Sequence, residues 1–113
     1  MTVTIYHNPR CSKSRETLAL VQDKGITPTV VEYLDAPPSA AELRDILRKL
    51  GKTPRELLRK KEAKEAGLDD AALSDEALIA GMVANPRVIE RPIVVNGDRA
   101  RLGRPPEQVL EIL

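Results

Sequence analysis

The 113-residue chain has a single cysteine, a single histidine, two tyrosines, and neither phenylalanine nor tryptophan. One cysteine cannot form a disulfide within the chain, so a disulfide-stabilised secreted scaffold is excluded. The shortage of aromatic side chains removes the stacking surface on which proteins bind single-stranded nucleic acid. The core must therefore be built from aliphatic side chains.

The sequence also lacks an excess of charge and a long apolar run. Its formal net charge of +1 gives no general attraction to nucleic acid or to an anionic membrane. No apolar stretch is long enough to span a bilayer, and the N-terminus does not have the pattern of a signal peptide. Because hydrophobic residues make up 42% and charged residues 31%, the composition is typical of a globular protein. We predict a cytoplasmic protein with no nucleic-acid or membrane partner.

The first third of the chain is predicted to form a strand, a helix and a second strand. The β-branched run at residues 3–5 indicates the first strand. Apolar residues at helical spacing predict a helix that begins at Ser12 and ends near Gly25. Residues 27–34 predict the second strand. This βαβ unit should have parallel strands and a right-handed crossover.

The middle of the chain is predicted to be helical. Two capping boxes, Ser39 with Glu42 and Thr53 with Glu56, each indicate the start of a helix. A further helix is expected to begin at Ser74. These helices separate the βαβ unit from the C-terminal part of the chain.

The C-terminal part is predicted to form two strands and a last helix. Residues 92–95 and 99–102 indicate strands, which the turn signal Asn96-Gly97 joins into a hairpin. The doublet Pro105-Pro106 should open the helix. Three residues are expected on its apolar face: Val109, Leu110 and Leu113.

Together these elements predict an α/β protein. The order βαβ … ββα is that of the thioredoxin-like fold, here with a helical insertion at about residues 39–86 between the two halves. We expect residues 1–113 to form one domain, because no linker or repeat interrupts the chain.

The stretch HNPRCSKSR at residues 7–15 contains the only cysteine, the only histidine and no carboxylate. Cys11 falls between the first strand and the first helix, at or just before the helix N-terminus. Unpaired amide groups and the helix dipole stabilise a thiolate there, and the nearby cationic and titratable side chains are expected to act in the same direction. Those side chains are Arg10, Lys13, Arg15 and His7. The alternative is that Cys11 is a small buried hydrophobe, but its loop position and surroundings favour a reactive thiolate.

A helix N-terminus with basic residues nearby also binds oxyanions, and arginine is the natural further ligand because its planar fork pairs with two oxygens. Arg91 stands out among the candidates because it precedes Pro92 at the start of a strand. In thioredoxin-like folds that position faces the active cysteine, and its X-Pro bond is often cis. The other candidates are Arg55, Arg59, Arg87, Arg99, Arg101 and Arg104.

The stretches YHNPRCSKSRETL, RELLR, ERPIVV and RLGRP, in this order, resemble the glutaredoxin-coupled arsenate reductase family. The resemblance extends from Thr4 to the last predicted helix. It implies a thioredoxin-like fold and the reduction of arsenate to arsenite. One departure is Ser12-Lys13, where better-known members carry Gly-Thr directly after the cysteine.

The resemblance also implies roles for individual residues. Cys11 matches the catalytic cysteine, His7 the histidine that opens the motif, and Ser14 a serine thought to hydrogen-bond the thiolate. The implied oxyanion-binding arginines are Arg59, Arg91 and Arg104.

The implied reaction needs glutathione as a co-substrate and glutaredoxin as a partner. The thiolate of Cys11 attacks As(V), glutathione attacks the bound arsenic, and glutaredoxin takes up the resulting mixed disulfide. We expect no bound cofactor and no metal, because the sequence has neither a metal-ligand cluster nor a glycine-rich phosphate loop.

Two other functions remain open at the level of sequence. One is a glutathione-dependent thiol transferase without arsenate activity. The other is a regulator of the same fold that binds RNA polymerase, although redox sensors of that kind generally use Cys-x-x-Cys, and the second position here is Ser14. A phosphatase-like arsenate reductase is disfavoured because its loop needs Cys-x5-Arg, and Thr17 occupies the arginine position.

Overall fold

The computed structural model describes residues 2–113, which divide into two compact units. The first unit comprises the described residues up to Ala36 together with Arg91–Leu113, and the second comprises Pro37–Glu90. None of the helices in residues 2–113 has the length and apolar character needed to cross a membrane. The predicted single domain, with its insertion at about 39–86, stays a prediction.

The first unit is built on a four-stranded sheet with the order β2-β1-β3-β4. Its strands are β1 (Val3–His7), β2 (Thr29–Glu32), β3 (Ile93–Asn96) and β4 (Arg99–Leu102). Strand β1 pairs with β2 in parallel and with β3 antiparallel, and β3 pairs antiparallel with β4. This mixed sheet confirms the predicted thioredoxin-like α/β fold.

Helix α1 (Ser12–Asp23) connects the two parallel strands, as the βαβ pattern predicted. It packs against the C-terminal 3₁₀ helix (Pro106–Ile112), which also contacts β4. The main buried cluster of this unit is aliphatic, as the shortage of aromatic residues predicted, although Tyr33 is also buried, with an exposure of 2%. Its buried members are Val3, Ile5, Val21, Val94, Val109 and Ile112.

The second unit contains α2 (Ala40–Leu50), α3 (Lys60–Glu65) and α4 (Asp75–Ala84), with 3₁₀ turns at Arg55–Leu57 and Pro86–Val88. Helix α2 packs against α4, and the second 3₁₀ turn packs against both α3 and α4. An isolated antiparallel bridge joins Leu58 to Ile89.

Two predicted helices differ from the structure. The Thr53–Glu56 capping box is formed, but only a 3₁₀ turn follows it, because Leu58 adopts an extended conformation and pairs with Ile89. The last helix is a 3₁₀ helix rather than an α-helix. Since the 3₁₀ period is about three residues, Val109 and Ile112 share its buried side. The predicted burial of Leu110 is therefore wrong, and this side chain is 37% exposed.

Candidate active site

Cys11 is the residue immediately before α1, at the end of the loop that leaves β1. Its backbone is extended, with φ −94° and ψ 123°, and its amide donates to the carbonyl of Asn8 at 3.0 Å. The side chain of Asn8 accepts from the amide of Arg10 at 3.0 Å, so one asparagine holds the turn on both sides. The sequence Asn-Pro favours such a turn. No side chain caps the helix, and its first turn contains no carboxylate.

The pKa of the Cys11 thiol is below its ordinary value. Partial burial acts to raise this pKa, but the backbone amide of Ser14, the side chain of Arg91 and the backbone amide of Lys13 lower it by more. All three groups donate a hydrogen bond to sulfur, and Arg91 also places a positive charge beside it. Both effects stabilise the thiolate. The structure therefore favours the anionic, nucleophilic form of Cys11.

Arg91 and Arg104 lie next to this thiol, and the side chain of Arg104 is hydrogen-bonded to the backbone of Arg91. The Nε of Arg104 donates to the carbonyl oxygen of Arg91 at 2.8 Å, and its Nη2 lies 4.0 Å from the Sγ of Cys11. Arg91-Pro92 is a cis peptide, as expected at this position, and so is Arg104-Pro105. The site thus combines one thiol with two guanidinium groups.

The residue before Arg104, Gly103, allows the segment that carries Arg104 to lie close to the segment that carries Arg91. Its amide donates to the carbonyl of Pro92 at 2.9 Å, which holds the start of the RLGRP tail against the start of β3. A Cβ at Gly103 would collide with the side chains of Thr17 and Pro92. Only glycine allows the chain to pass so close at this point.

His7 and Ser14 form a buried pair behind the thiol loop. The Nδ1 of His7 lies 2.6 Å from the Oγ of Ser14, and the amide of Asn8 donates to the same Oγ at 3.0 Å. The hydroxyl of Ser14 thus contacts His7 and Asn8, whereas the group of Ser14 that lowers the thiol pKa is its backbone amide. The family resemblance implied a hydrogen bond from Ser14 to the thiolate without specifying the donor, and the group of Ser14 in that position is its backbone amide.

His7 does not supply the positive charge that the sequence led us to expect. Burial lowers its pKa below 6.5, opposed by the nearby Glu32 carboxylate and assisted by Arg15. This shift favours the neutral imidazole. Two of the other expected cations, both in α1, are engaged with other groups: Arg15 donates to the carbonyl of Pro9 at 3.0 Å, and Lys13 lies 3.8 Å from Glu16.

Arg59 lies in the second unit, where it precedes α3. Its Nε is 3.2 Å from a carboxylate oxygen of Glu62 and 3.5 Å from one of Glu90, and its amide donates to the carbonyl of Val88 at 2.8 Å. These contacts hold the guanidinium in a defined position. Its role as an oxyanion ligand stays a prediction.

The remaining candidate arginines have structural contacts within their own units. Arg55 donates to the carbonyls of Asp70 and Leu73, and Arg87 pairs with Glu65 at 3.2 Å. In the first unit, Arg99 donates to the carbonyl of Glu111 and Arg101 lies 3.5 Å from its carboxylate. Within residues 2–113, no three His, Cys, Asp or Glu side chains are grouped so that they could hold a metal ion.

The mixed sheet and the helix that follows its first strand define a thioredoxin-like protein. Its one cysteine lies at the N-terminus of that helix, beside two arginines. The chain belongs to the ArsC family, whose sequence profile matches residues 6–112. This membership confirms the family resemblance noted from the four sequence motifs.

Three similar proteins match over nearly their whole length. The uncharacterised protein YfgD of Escherichia coli K12 is 60% identical, with 98% of this chain and 96% of YfgD covered. An arsenate reductase of Haemophilus influenzae is 51% identical, with both chains fully covered. Among solved structures, an arsenate reductase from Vibrio cholerae superposes with a TM-score of 0.95 at 55% identity, covering 100% of this chain and 98% of that one.

Proposed function

We propose that this protein reduces arsenate to arsenite through an arsenic intermediate bound to Cys11, with glutathione as co-substrate and glutaredoxin as partner. The observation that carries the proposal is the Cys11 thiol, whose pKa is lowered and which lies 4.0 Å from the guanidinium of Arg104. A thiolate beside guanidinium groups suits attack on a tetrahedral oxyanion. Similar proteins of Haemophilus influenzae and Vibrio cholerae bear the name arsenate reductase.

In the first step, the thiolate sulfur of Cys11 attacks arsenic, and a protonated arsenate oxygen leaves as water. Arg91 and Arg104 would neutralise the charge on the remaining oxygens, because a planar guanidinium pairs with two oxygens at once. Arg59 is proposed as a third oxyanion ligand on the basis of the RELLR match. It would have to exchange a contact with Glu62 or Glu90 for one with arsenate.

The next steps need thiols from outside the chain. Reduction of As(V) to As(III) takes two electrons, and a protein with one cysteine cannot supply them by forming its own disulfide. Glutathione sulfur replaces a second arsenate oxygen, which leaves as water. Glutaredoxin thiolate then attacks that sulfur, forms a mixed disulfide and leaves the electron pair on arsenic. Hydrolysis of the remaining Cys11–arsenic bond releases arsenite and restores the thiol.

We place this reaction in the cytoplasm, where glutathione is abundant and thiols are kept reduced.

The lone thiolate also suits a second function, the transfer of glutathione from mixed disulfides, because such exchange requires only one protein sulfur. That function would need no oxyanion ligands. The arginines beside Cys11 therefore favour arsenate reduction over thiol transfer.

The test is arsenate-dependent oxidation of NADPH in the presence of glutathione, glutaredoxin and glutathione reductase. We expect steady turnover that stops when glutathione is omitted and is not restored by thioredoxin with its reductase. A panel of glutathione mixed disulfides, measured in parallel, detects the transferase. Turnover of the disulfides without turnover of arsenate would contradict the proposal, and arsenate turnover with thioredoxin alone would contradict the electron route.

A further inference from the structure

A cavity of about 260 Å³ opens beside the thiol loop, within the first unit. The loop between β1 and Cys11 forms one part of its wall, and the end of β2 with the turn that follows forms another. Its lining residues are His7, Asn8, Pro9, Arg10, Glu32, Leu34 and Asp35. Cys11 follows Arg10 directly in the chain, so this cavity adjoins the segment that carries the nucleophile.

The backbone fixes the polar side chains of this cavity relative to one another. His7 and Glu32 are register partners in the parallel pair β1–β2, so their Cα atoms lie side by side. The amide of Asp35 donates to the carbonyl of Glu32 at 3.0 Å, which closes the turn after β2. The amide of Arg10 is held by the side chain of Asn8. These charged groups are therefore attached to defined backbone.

His7 presents an unpaired polar atom to this cavity. The residue is only 6% exposed, and its Nδ1 contacts Ser14. In the part of the chain that the structure describes, the other ring nitrogen, Nε2, has no hydrogen-bond partner, although His7 lines the cavity. This nitrogen is accessible rather than buried, so a group that enters the cavity can form a hydrogen bond with it.

The charges around the cavity are of both signs. Glu32 and Asp35 are carboxylates and Arg10 is a guanidinium, and none of the three forms a salt bridge within residues 2–113. Leu34 adds apolar surface and is 42% exposed. A ligand that fits carries an ammonium group, a carboxylate and a short hydrocarbon segment, which is the chemistry of an amino-acid end.

We propose that this cavity binds the γ-glutamyl end of glutathione. Glu32 and Asp35 hold its α-ammonium group, Arg10 holds its α-carboxylate, and the Nε2 of His7 makes a further hydrogen bond. A flexible chain of several bonds separates this end of glutathione from its sulfur, so the sulfur can reach the neighbouring Cys11. The inference rests on the proposed function in taking glutathione as the thiol substrate. It adds where that substrate binds and which residues select it.

The test uses S-methylglutathione, which cannot react with Cys11, and its analogue without the α-amino group. Binding of each to the reduced protein is measured by calorimetry. We expect the wild type to bind S-methylglutathione about tenfold more tightly than the analogue, since the analogue lacks the charge that the carboxylates pair with. In the Glu32→Gln/Asp35→Asn variant this preference should disappear. Asp23→Asn, which removes an exposed carboxylate at the end of α1, is the matched control and should keep it.

A second variant guards against a folding defect in the first. Arg10→Gln should weaken S-methylglutathione binding while keeping the preference over the analogue without the amino group. Equal binding of both ligands by the wild type, or an unchanged preference in the double variant, would overturn the proposal.

The binding measurement contains no arsenate, so the two proposals can fail separately. A protein that binds S-methylglutathione as expected but does not turn over arsenate refutes only the proposed function. A protein that turns over arsenate, with the same KM for glutathione in the wild type and in the double variant, refutes only this subsite.

Discussion

Two helices of this protein begin in opposite ways. Helix α2 begins at Ser39 with a complete capping box, in which the amide of Glu42 donates to the Ser39 hydroxyl and the amide of Ser39 donates to the Glu42 carboxylate, each at 3.1 Å. Helix α1 begins at Cys11 with no side-chain cap and no carboxylate in its first turn. The Glu42 amide in the first turn of α2 is thus bonded to the Ser39 hydroxyl, whereas the Lys13 and Ser14 amides in the first turn of α1 are directed toward sulfur.

This difference shows how the same backbone feature serves stability in one place and chemistry in another. The capping box of α2 occupies the amide of Glu42, whereas in α1 the amides of Lys13 and Ser14 lower the pKa of the Cys11 thiol. Leaving α1 uncapped forgoes about 1 kcal/mol of stability that a serine or threonine cap would add. The amides that a cap would have occupied instead lower the pKa of the Cys11 thiol.

The largest expected effect comes from giving α1 the cap that α2 has. Cys11→Ser places a preferred capping residue at the helix start and removes the nucleophile. Arsenate turnover should fall by roughly a thousandfold or more, while the free energy of unfolding stays the same or rises by up to about 1 kcal/mol. Coupled NADPH oxidation and urea unfolding measure the two quantities. Residual turnover near that of the wild type would show that Cys11 is not the nucleophile.

A smaller effect is expected from changing the arginines beside the uncapped helix. Arg91→Lys and Arg104→Lys keep the charge but lose the fork, and lysine at 104 cannot reproduce the hydrogen bond of Nε to the Arg91 carbonyl. Each change should lower kcat/KM for arsenate by roughly tenfold or more. Arg59→Lys tests the third proposed ligand in the same assay.

Arg99→Lys is the matched control for these three variants, because Arg99 is exposed and its guanidinium donates to the carbonyl of Glu111. Its kcat/KM should equal that of the wild type. Unchanged kinetics in both Arg91→Lys and Arg104→Lys would mean that these arginines do not bind the oxyanion.

The smallest expected effect concerns the capped helix. Ser39→Ala removes the acceptor for the Glu42 amide and should lower the free energy of unfolding by about 1 kcal/mol without changing kcat/KM for arsenate. Thr53→Ala should cost less, because its capping box opens only the 3₁₀ turn Arg55–Leu57 and its hydroxyl accepts at a longer 3.3 Å. Urea unfolding of the two variants measures this order, and a larger loss in Thr53→Ala would contradict it.

Local patterns were enough to predict most of the fold. The β-branched run of β1, the Ser39 capping box and the Asn96-Gly97 hairpin signal each act over a few residues. The strand, the capping box and the hairpin are all present in the structure, and the turn of the hairpin is at Gly97 and Asp98. The patterns failed where partners distant in sequence decide the outcome. The bridge from Leu58 to Ile89 prevents the helix predicted after Thr53.

The candidate site could be predicted only in part for the same reason. The position of Cys11 before a helix follows from local sequence. The lowered pKa of His7 depends on burial, and the main-chain contributions of Lys13 and Ser14 depend on the direction of their amides. Neither property is visible in residue types. The approach of Arg104 to Cys11 depends on the close passage of Gly103 past Thr17 and Pro92.

The comparison between the two helix starts is tested most directly by titrating the Cys11 thiol. The amides of Lys13 and Ser14 and the side chain of Arg91 lower the pKa of this thiol. Its alkylation rate by iodoacetamide is measured across pH under reducing conditions, with Arg91→Gln in parallel. We predict a midpoint below the value of about 8.5 for a free cysteine, and a higher midpoint in the variant, because the thiolate loses a hydrogen bond and a positive charge. A wild-type midpoint at or above that of free cysteine would contradict the assignment of Cys11 as an activated nucleophile.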